Sequence, residues 1–173
     1  ILSSCASRQL EEVTFRRTVI PVQELLDAAG KYFKKLMKNR PERIELEIEP
    51  MEAKVIGDVN QLRFLLENLI DEVLTVREDG VIRLQARKDN EYIRFLFTDT
   101  RREKSVEELN QLFYPNLARM TSGEKGELRG TEYLVCKQII RDHDEFAGRR
   151  GCRINAEPAE GGGFTVYFTI PRR

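Results

Sequence analysis

Several residue types and patterns are scarce in this chain of 173 residues, which has no tryptophan, one histidine and three cysteines. The cysteines, Cys5, Cys136 and Cys152, are odd in number and never stand in a C-x-x-C arrangement. This pattern argues against a disulfide framework and against a zinc site. No apolar run approaches the roughly 18 residues that a membrane-spanning helix needs. We therefore expect no membrane contact by this stretch of chain.

The chain also lacks net charge, because 29 basic residues balance 29 acidic ones. Without an overall basic field, we expect no nucleic acid as a partner. Hydrophobic residues make up 40% and charged residues 34%, a composition typical of a globular protein that buries a real core. The length indicates one domain of ordinary size. The chain starts at Ile1 with no leader pattern before it, so we expect a fragment of a longer cytoplasmic protein.

Apolar periodicity and turn chemistry predict the order of elements. Helices are expected at 21–39, 59–75 and 131–147, with Asp58 as an N-cap and a short helix after the capping box that begins at Ser105. Alternating apolar residues predict strands at 44–48, 53–56, 81–87, 92–98, 152–156 and 164–170. This order predicts an α+β fold, a two-layer α/β sandwich whose mixed, mostly antiparallel sheet is covered on one face by helices.

Two segments carry weaker patterns. The stretch from Tyr114 to Gly130 contains three glycines, one proline and few apolar residues, so we expect a mobile loop. Residues 3–15 place Leu10, Val13 and Phe15 among polar residues, which suggests the end of a helix that arrives from upstream.

Short landmarks follow one another along most of the chain, from Ile20 to Pro171. They are Gly57-Asp58, Asn68-Leu69-Ile70, Phe97-Thr98-Asp99-Thr100, Leu112-Phe113-Tyr114, Gly130, and Lys137-Gln138-Ile139-Ile140 with His143. Together these landmarks resemble the ATP-binding domain of sensor histidine kinases, within the wider GHKL ATPase group. The resemblance implies that residues 20–173 form a histidine-kinase-like ATPase domain. It also implies that residues 1–19 are the end of an upstream dimerisation helix and a linker.

The resemblance implies a nucleotide site, vestigial or weak, made by Asn68, Glu72, Asp99, Gly130 and Thr131. Asp99 stands where the family reads adenine, and Gly130 ends the mobile lid of the family. Asn68 and Glu72 stand on the helix that holds Mg²⁺ in the family, so they are the expected metal ligands. The residues alone leave a plain alternative open, a solvated acidic face at Asn68 and Glu72. No catalytic residue is expected in this fragment.

The chain departs from the family pattern at its glycines. Where the family has Asp-x-Gly-x-Gly, the chain reads Asp99-Thr100-Arg101-Arg102-Glu103, and Glu132 and Leu134 replace two lid glycines. We therefore expect ATP and Mg²⁺ to bind weakly or not at all, and no detectable kinase activity from this fragment. The expected function is a degenerate ATP-binding domain of a two-component signal transduction protein, a pseudokinase that acts as a regulatory or interaction module. The alternatives are a divergent but active catalytic domain of a sensor histidine kinase and an unrelated α+β interaction domain.

Two further interpretations concern single side chains. Arg101 and Arg102 are interpreted as exposed turn arginines that pair with nearby glutamates, rather than as phosphate ligands. His143 has no nucleophile or base beside it in the sequence and is interpreted as a helix-end residue. The resemblance also implies partners, namely the upstream dimerisation and sensor regions of the same protein and a response regulator or a kinase.

Overall fold

The computed structural model describes residues 14–114 and 131–173. These ranges contain seven strands and four helices. In chain order they are β1 (Thr18–Pro21), α1 (Val22–Met37), β2 (Ile44–Ile48), β3 (Lys54–Gly57), α2 (Val59–Val73), β4 (Gly80–Asp89), β5 (Tyr92–Asp99), α3 (Val106–Gln111), α4 (Thr131–Phe146), β6 (Ile154–Pro158) and β7 (Phe164–Pro171). No helix in the described ranges is long and apolar enough to cross a bilayer.

The main sheet has five strands in the order β2-β4-β5-β7-β6. Only β2 and β4 run parallel, and the other three pairs are antiparallel. The long connection through α2 allows the parallel pairing, which a short hairpin cannot make. The expected mixed, mostly antiparallel sheet is confirmed.

One face of this sheet carries the core. Inward residues of the central strands lie beside each other in register, as in Leu84, Phe97 and Val166, and all three are buried. Helices α1, α2 and α4 contribute apolar residues to the same cluster, including Leu25, Leu66 and Ile139. The opposite face carries exposed ion pairs such as Arg83 with Glu47. The predicted two-layer sandwich is therefore confirmed.

Helix starts agree with the sequence signals. The side chain of Asp58 accepts hydrogen bonds from the backbone N–H groups of Asn60 and Gln61, which caps α2. Ser105 and Glu108 form the expected capping box at α3. The link from β4 to β5 is shorter than predicted, because the strands extend to a two-residue turn in which Asn90 adopts a φ of 55°.

A second, two-stranded sheet was not predicted. In it, β1 pairs antiparallel with β3, and the predicted strand at 53–56 supplies β3. Strand β1 has four residues, too few for a periodic signal, and its partner is distant in the sequence. The loop predicted from Tyr114 to Gly130 lies outside the described residues except for Tyr114. The helix end predicted at residues 3–15 also lies outside them, except for Thr14 and Phe15.

Candidate functional site

Asp99 is the last residue of β5 and lies on the face of the sheet that the helices cover. Its cross-strand neighbours are Ile82 on β4 and Phe164 on β7, and both are buried. Asp99 itself is 2% exposed. A carboxylate so deep in a core needs hydrogen-bonding partners, because an unpaired buried charge is strongly unfavourable.

The side chain of Arg101 supplies these partners. Its Nε atom donates to Oδ1 of Asp99 at 2.9 Å and its Nη2 atom donates to Oδ2 at 3.0 Å. The backbone N–H of Arg101 also donates to Oδ1, at 3.0 Å. Both side chains are almost fully buried, at 2% exposure for Arg101 and 3% for Asp99. This forked pairing engages both oxygens of the carboxylate.

The same guanidinium binds the backbone after α2. Nη2 donates to the carbonyl of Val73 at 2.6 Å, and Nη1 donates to the carbonyls of Val76 and Glu78, both at 2.9 Å. A guanidinium has five N–H donors, and these bonds together with those to Asp99 use all five. Carbonyl groups at the end of a helix lack partners within the helix, so Arg101 also caps α2.

The interpretation of Arg101 as an exposed turn arginine is therefore wrong. Its acceptors on α2 and the following turn lie 23 to 28 residues upstream, so no local pattern signals the pairing. The interpretation of Arg102 is confirmed, because its side chain is 55% exposed and pairs with Glu78 at 2.6 Å. Successive residues after the strand thus point in different directions, one into the core and one toward solvent.

Two glycines shape the surroundings of this pair. Gly80 opens β4 with a φ of 147°, and a Cβ atom there would lie 2.5 Å from Cγ of Arg101. Gly163 has a φ of 86°, and a Cβ atom there would overlap the carbonyl oxygen of Asp99. Side chains at either position would collide with the pair or with its backbone, so glycine allows the close packing.

The predicted metal-binding helix face lies on α2, and its side chains already have structural contacts. The amide of Asn68 donates to the carbonyl of Phe64 at 2.7 Å, one helical turn earlier. Asp71 accepts a hydrogen bond of 2.6 Å from the hydroxyl of Tyr32 on α1. Burial, followed by this bond to Asp71, raises the pKa of Tyr32.

Glu72 is half-buried and also interacts with its surroundings. In the described ranges, no three histidine, cysteine or acidic side chains form a group that could hold a metal ion. Mg²⁺ usually takes one or two protein carboxylates and completes its coordination with water and substrate phosphates, so it does not need such a group.

The start of α4 brings further acidic and aromatic groups to this region. Gly130 lies outside the described residues, and Thr131 is the first residue of α4. Tyr133 is buried and packs edge-on against Phe113, with ring centroids 5.5 Å apart. Burial is the main cause that raises the pKa of Tyr133, and the carboxylates of Glu72 and Asp99 add to it. The structure thus brings Glu72, Asp99 and the start of α4 into one neighbourhood.

His143 is fully buried, so a role as a helix-end residue describes it incompletely. Its Nδ1 lies 2.9 Å from the carbonyl of Ile139, while its Nε2 accepts the backbone N–H of Asp58 at 3.1 Å. These partners indicate a neutral imidazole protonated at Nδ1. Burial lowers the pKa of His143, and the Ile139 carbonyl and the Asp58 carboxylate oppose this shift. The ring therefore ties α4 to the start of α2.

Two further neighbours constrain the imidazole ring of His143. The Phe15 ring meets it edge-on, with centroids 4.9 Å apart. A Cβ atom on Gly57 would lie 2.7 Å from Nε2. The sequence offered one clue to this contact, because Gly57, Asp58 and His143 all belong to the family landmarks.

Comparisons with known proteins point to one group. The family model described as histidine kinase-, DNA gyrase B- and HSP90-like ATPase matches residues 57–173. No curated protein sequence is a significant match. Among solved structures, the mycobacterial sensor histidine kinase MprB superposes with a TM-score of 0.69 at 17% identity, over 91% of this chain and 99% of that chain.

Two further structures come from the histidine kinase ThkA. Its nucleotide-free catalytic domain superposes with a TM-score of 0.71 at 20% identity, covering 91% of this chain and 96% of that chain. ThkA in complex with the response regulator protein TrrA gives a TM-score of 0.68 at 18% identity, covering 99% of this chain and 47% of that chain. At such low identities these structures show a shared fold.

Proposed function

Because the chain belongs to the family of histidine kinase-, DNA gyrase B- and HSP90-like ATPases, we propose that it is a two-component signalling domain in which ATP binding is weak or absent. It acts as a regulatory or interaction module of a longer protein. The family binds ATP, usually with Mg²⁺. In this chain, the corresponding site has lost most or all of its affinity for the nucleotide.

The observation that carries the proposal is the Asp99–Arg101 pair. In the family register Asp99 is the adenine-reading residue, but here Arg101 engages both carboxylate oxygens. The carboxylate is also only 3% exposed, so a base has no approach to it while Arg101 stays in place. Adenine would have to displace a buried guanidinium before it gained its own hydrogen bond.

The cost of that displacement sets the expected affinity. Removing one partner of a buried ion pair costs about 3 to 5 kcal/mol. This corresponds to a loss of roughly 100- to 4,000-fold in affinity. A site that would otherwise bind Mg-ATP at about 1 µM is then expected to bind at about 0.1 mM or more weakly.

The charges around the proposed phosphate contacts also favour weak ATP binding. Glu72 and Glu132 place carboxylates near Tyr133, and both would repel a triphosphate. Asn68 and Glu72 remain the proposed metal ligands, and Gly130 and Thr131 the proposed phosphate contacts, of any residual site. When bound, Mg²⁺ would neutralise phosphate charge, and the half-buried carboxylate of Glu72 would supply a hard oxygen ligand.

Calorimetric titration with Mg-ATP tests the proposal. The expected dissociation constant is above about 100 µM, equivalent to less than about 5.5 kcal/mol of binding. A lower constant that is lost in the Asp99→Ala variant would overturn the proposal, because it would show a working adenine site. The Arg102→Ala variant is the matched control, since its side chain is exposed and one residue away from the buried pair.

The proposal extends to partners. We propose that residues 1–19 connect a cytoplasmic domain at 20–173 to dimerisation and sensor regions of the same protein, and that a response regulator or a kinase binds it. Support comes from the fold shared with ThkA, which is known in complex with TrrA. In the full-length protein, we expect response-regulator binding without transfer of phosphate from ATP. Phosphate transfer that requires residues 20–173 would refute this proposal.

A further inference from the structure

We propose that Asp99 and the end of α2 form a receptor for one planar guanidinium group, and that Arg101 occupies it as an internal ligand. We call the receptor the guanidinium cage, defined by the carboxylate of Asp99 and the carbonyl oxygens of Val73, Val76 and Glu78. This inference rests on the proposed function, because both assign Arg101 as the group that fills the space beside Asp99.

The number and arrangement of acceptors identify the ligand class. The five bonds from guanidinium N–H groups to the cage span 2.6 to 3.0 Å; four lie within the normal range for N–H donors, and the bond to Val73 is slightly shorter. An ammonium group has three donors and would leave part of the cage without a partner. The cage therefore fits a guanidinium better than a primary amine.

The charge of the cage selects against neutral ligands. Asp99 contributes a full negative charge in a buried position, and the carbonyl end of α2 adds the negative end of a helix dipole. A urea has planar N–H donors but no charge, and its own carbonyl would face oxygen atoms of the cage. A ligand must be both planar and cationic to replace Arg101.

The walls of the cage limit the size of the ligand. A Cβ atom at Gly80 would lie 2.5 Å from Cγ of Arg101, so the backbone of β4 closes one side. The Arg101 side chain is 2% exposed, so removing it creates an internal cavity rather than an open surface groove. Methylguanidinium matches the missing group, because an alanine keeps the Cβ atom and occupies part of the aliphatic stem.

The test uses the Arg101→Ala variant without nucleotide, so it is independent of ATP affinity. Thermal unfolding is followed with methylguanidinium, methylammonium or methylurea at equal concentrations. At about ten times its dissociation constant, methylguanidinium is expected to raise the melting temperature by about 3 to 6 °C. Methylammonium is expected to give less than half of that shift, and methylurea none. Equal shifts with all three compounds, or none with methylguanidinium, would overturn the inference.

Two controls isolate the cage. The Arg102→Ala variant keeps Arg101 in place, so methylguanidinium is expected to leave its melting temperature unchanged. The double variant Asp99→Asn with Arg101→Ala keeps the cavity but removes its charge, so the selectivity for methylguanidinium over methylurea is expected to disappear. Retained selectivity in the double variant would contradict the role of Asp99.

The guanidinium cage can also be tested if the Arg101→Ala variant does not fold. If Arg101→Ala is recovered only as unfolded chain, the compounds are added during refolding from urea, and methylguanidinium alone is expected to restore folded protein. In the unmodified chain, nuclear magnetic resonance is expected to show Arg101 guanidinium protons that exchange with water at least about 100-fold more slowly than those of Arg102. Equal exchange rates, or refolding that no compound improves, would refute the cage.

Discussion

Substitution of Gly57 by alanine is expected to destabilise the domain mainly through contact with His143, since the other close atom, Cδ1 of Leu62, is the flexible end of a side chain 3.2 Å away. The new Cβ atom would lie 2.7 Å from Nε2 and 2.8 Å from Cδ2 of His143. Carbon atoms in ordinary contact lie about 3.5 to 4.0 Å from their neighbours, so the ring must move. It has little room, because it is fully buried and Phe15 packs against it.

The magnitude follows from two effects. Overpacking of a filled core costs about 1 to 3 kcal/mol. Displacement of the ring also breaks the bond from the backbone N–H of Asp58 to Nε2, and an unpaired buried donor costs about 1 to 3 kcal/mol. The sum, about 2 to 6 kcal/mol, is a large part of the roughly 5 to 15 kcal/mol that stabilises a typical domain.

Urea unfolding measures this loss, expected as a fall of about 1 to 2 M in the transition midpoint. A double-mutant cycle assigns it to the contact, because alanine at position 57 should cost much less when His143 is also alanine. If Gly57→Ala lies within about 0.5 kcal/mol of the unmodified chain, or costs the same in both backgrounds, the reasoning is wrong.

Three other predictions concern stability. The pKa of His143 is lowered in the folded protein, so its contribution to stability is fully present above about pH 6.5 and is lost as the pH falls through the depressed folded pKa. The free energy of unfolding should therefore drop between pH 7 and 5 more than in a His143→Gln variant. Gly30→Ala in α1 should stabilise the domain by about 0.5 to 1 kcal/mol, because alanine favours the helix more than glycine does. The new Cβ atom would lie 3.2 Å from Cδ1 of Ile48, which is the flexible end of a side chain and can shift. A lower melting temperature would contradict this prediction. Tyr32→Phe removes the hydroxyl bond to Asp71 and should cost about 0.5 to 1.5 kcal/mol in urea unfolding, whereas an unchanged midpoint would show that water replaces the bond.

Local signals were enough to predict most of the fold. The caps at Asp58 and Ser105 need only residues within one helical turn, and both are present. The buried faces of α2 and β7 repeat with clear periods, so their elements were predicted within a few residues. The strand β1 carries no such repeat, and it forms because β3 offers it a partner.

The candidate site was harder to predict from the sequence, because its contacts join distant parts of the chain. Asp99 was placed correctly at the end of β5, but its partner Arg101 was assigned to solvent. The reason is physical, since an arginine in a turn is usually hydrated, and burial is favourable here because the Asp99 carboxylate and three distant carbonyls accept all of its N–H groups. His143 was underestimated for the same reason, because Gly57 and Asp58 lie 85 or more residues upstream of it.

The binding of Arg101 by five acceptors also constrains how this protein can change during evolution. A substitution of Arg101 by glycine would remove all five guanidinium donors from the Asp99 carboxylate and the three carbonyls at once, while backbone N–H bonds to Asp99 and Val73 would remain. That intermediate would lose stability before any ligand could compensate for it. A mutational path that empties this space must therefore first neutralise Asp99 or give the end of α2 another donor. Stability alone would thus keep arginine at this position, whether or not natural selection still acts on nucleotide binding.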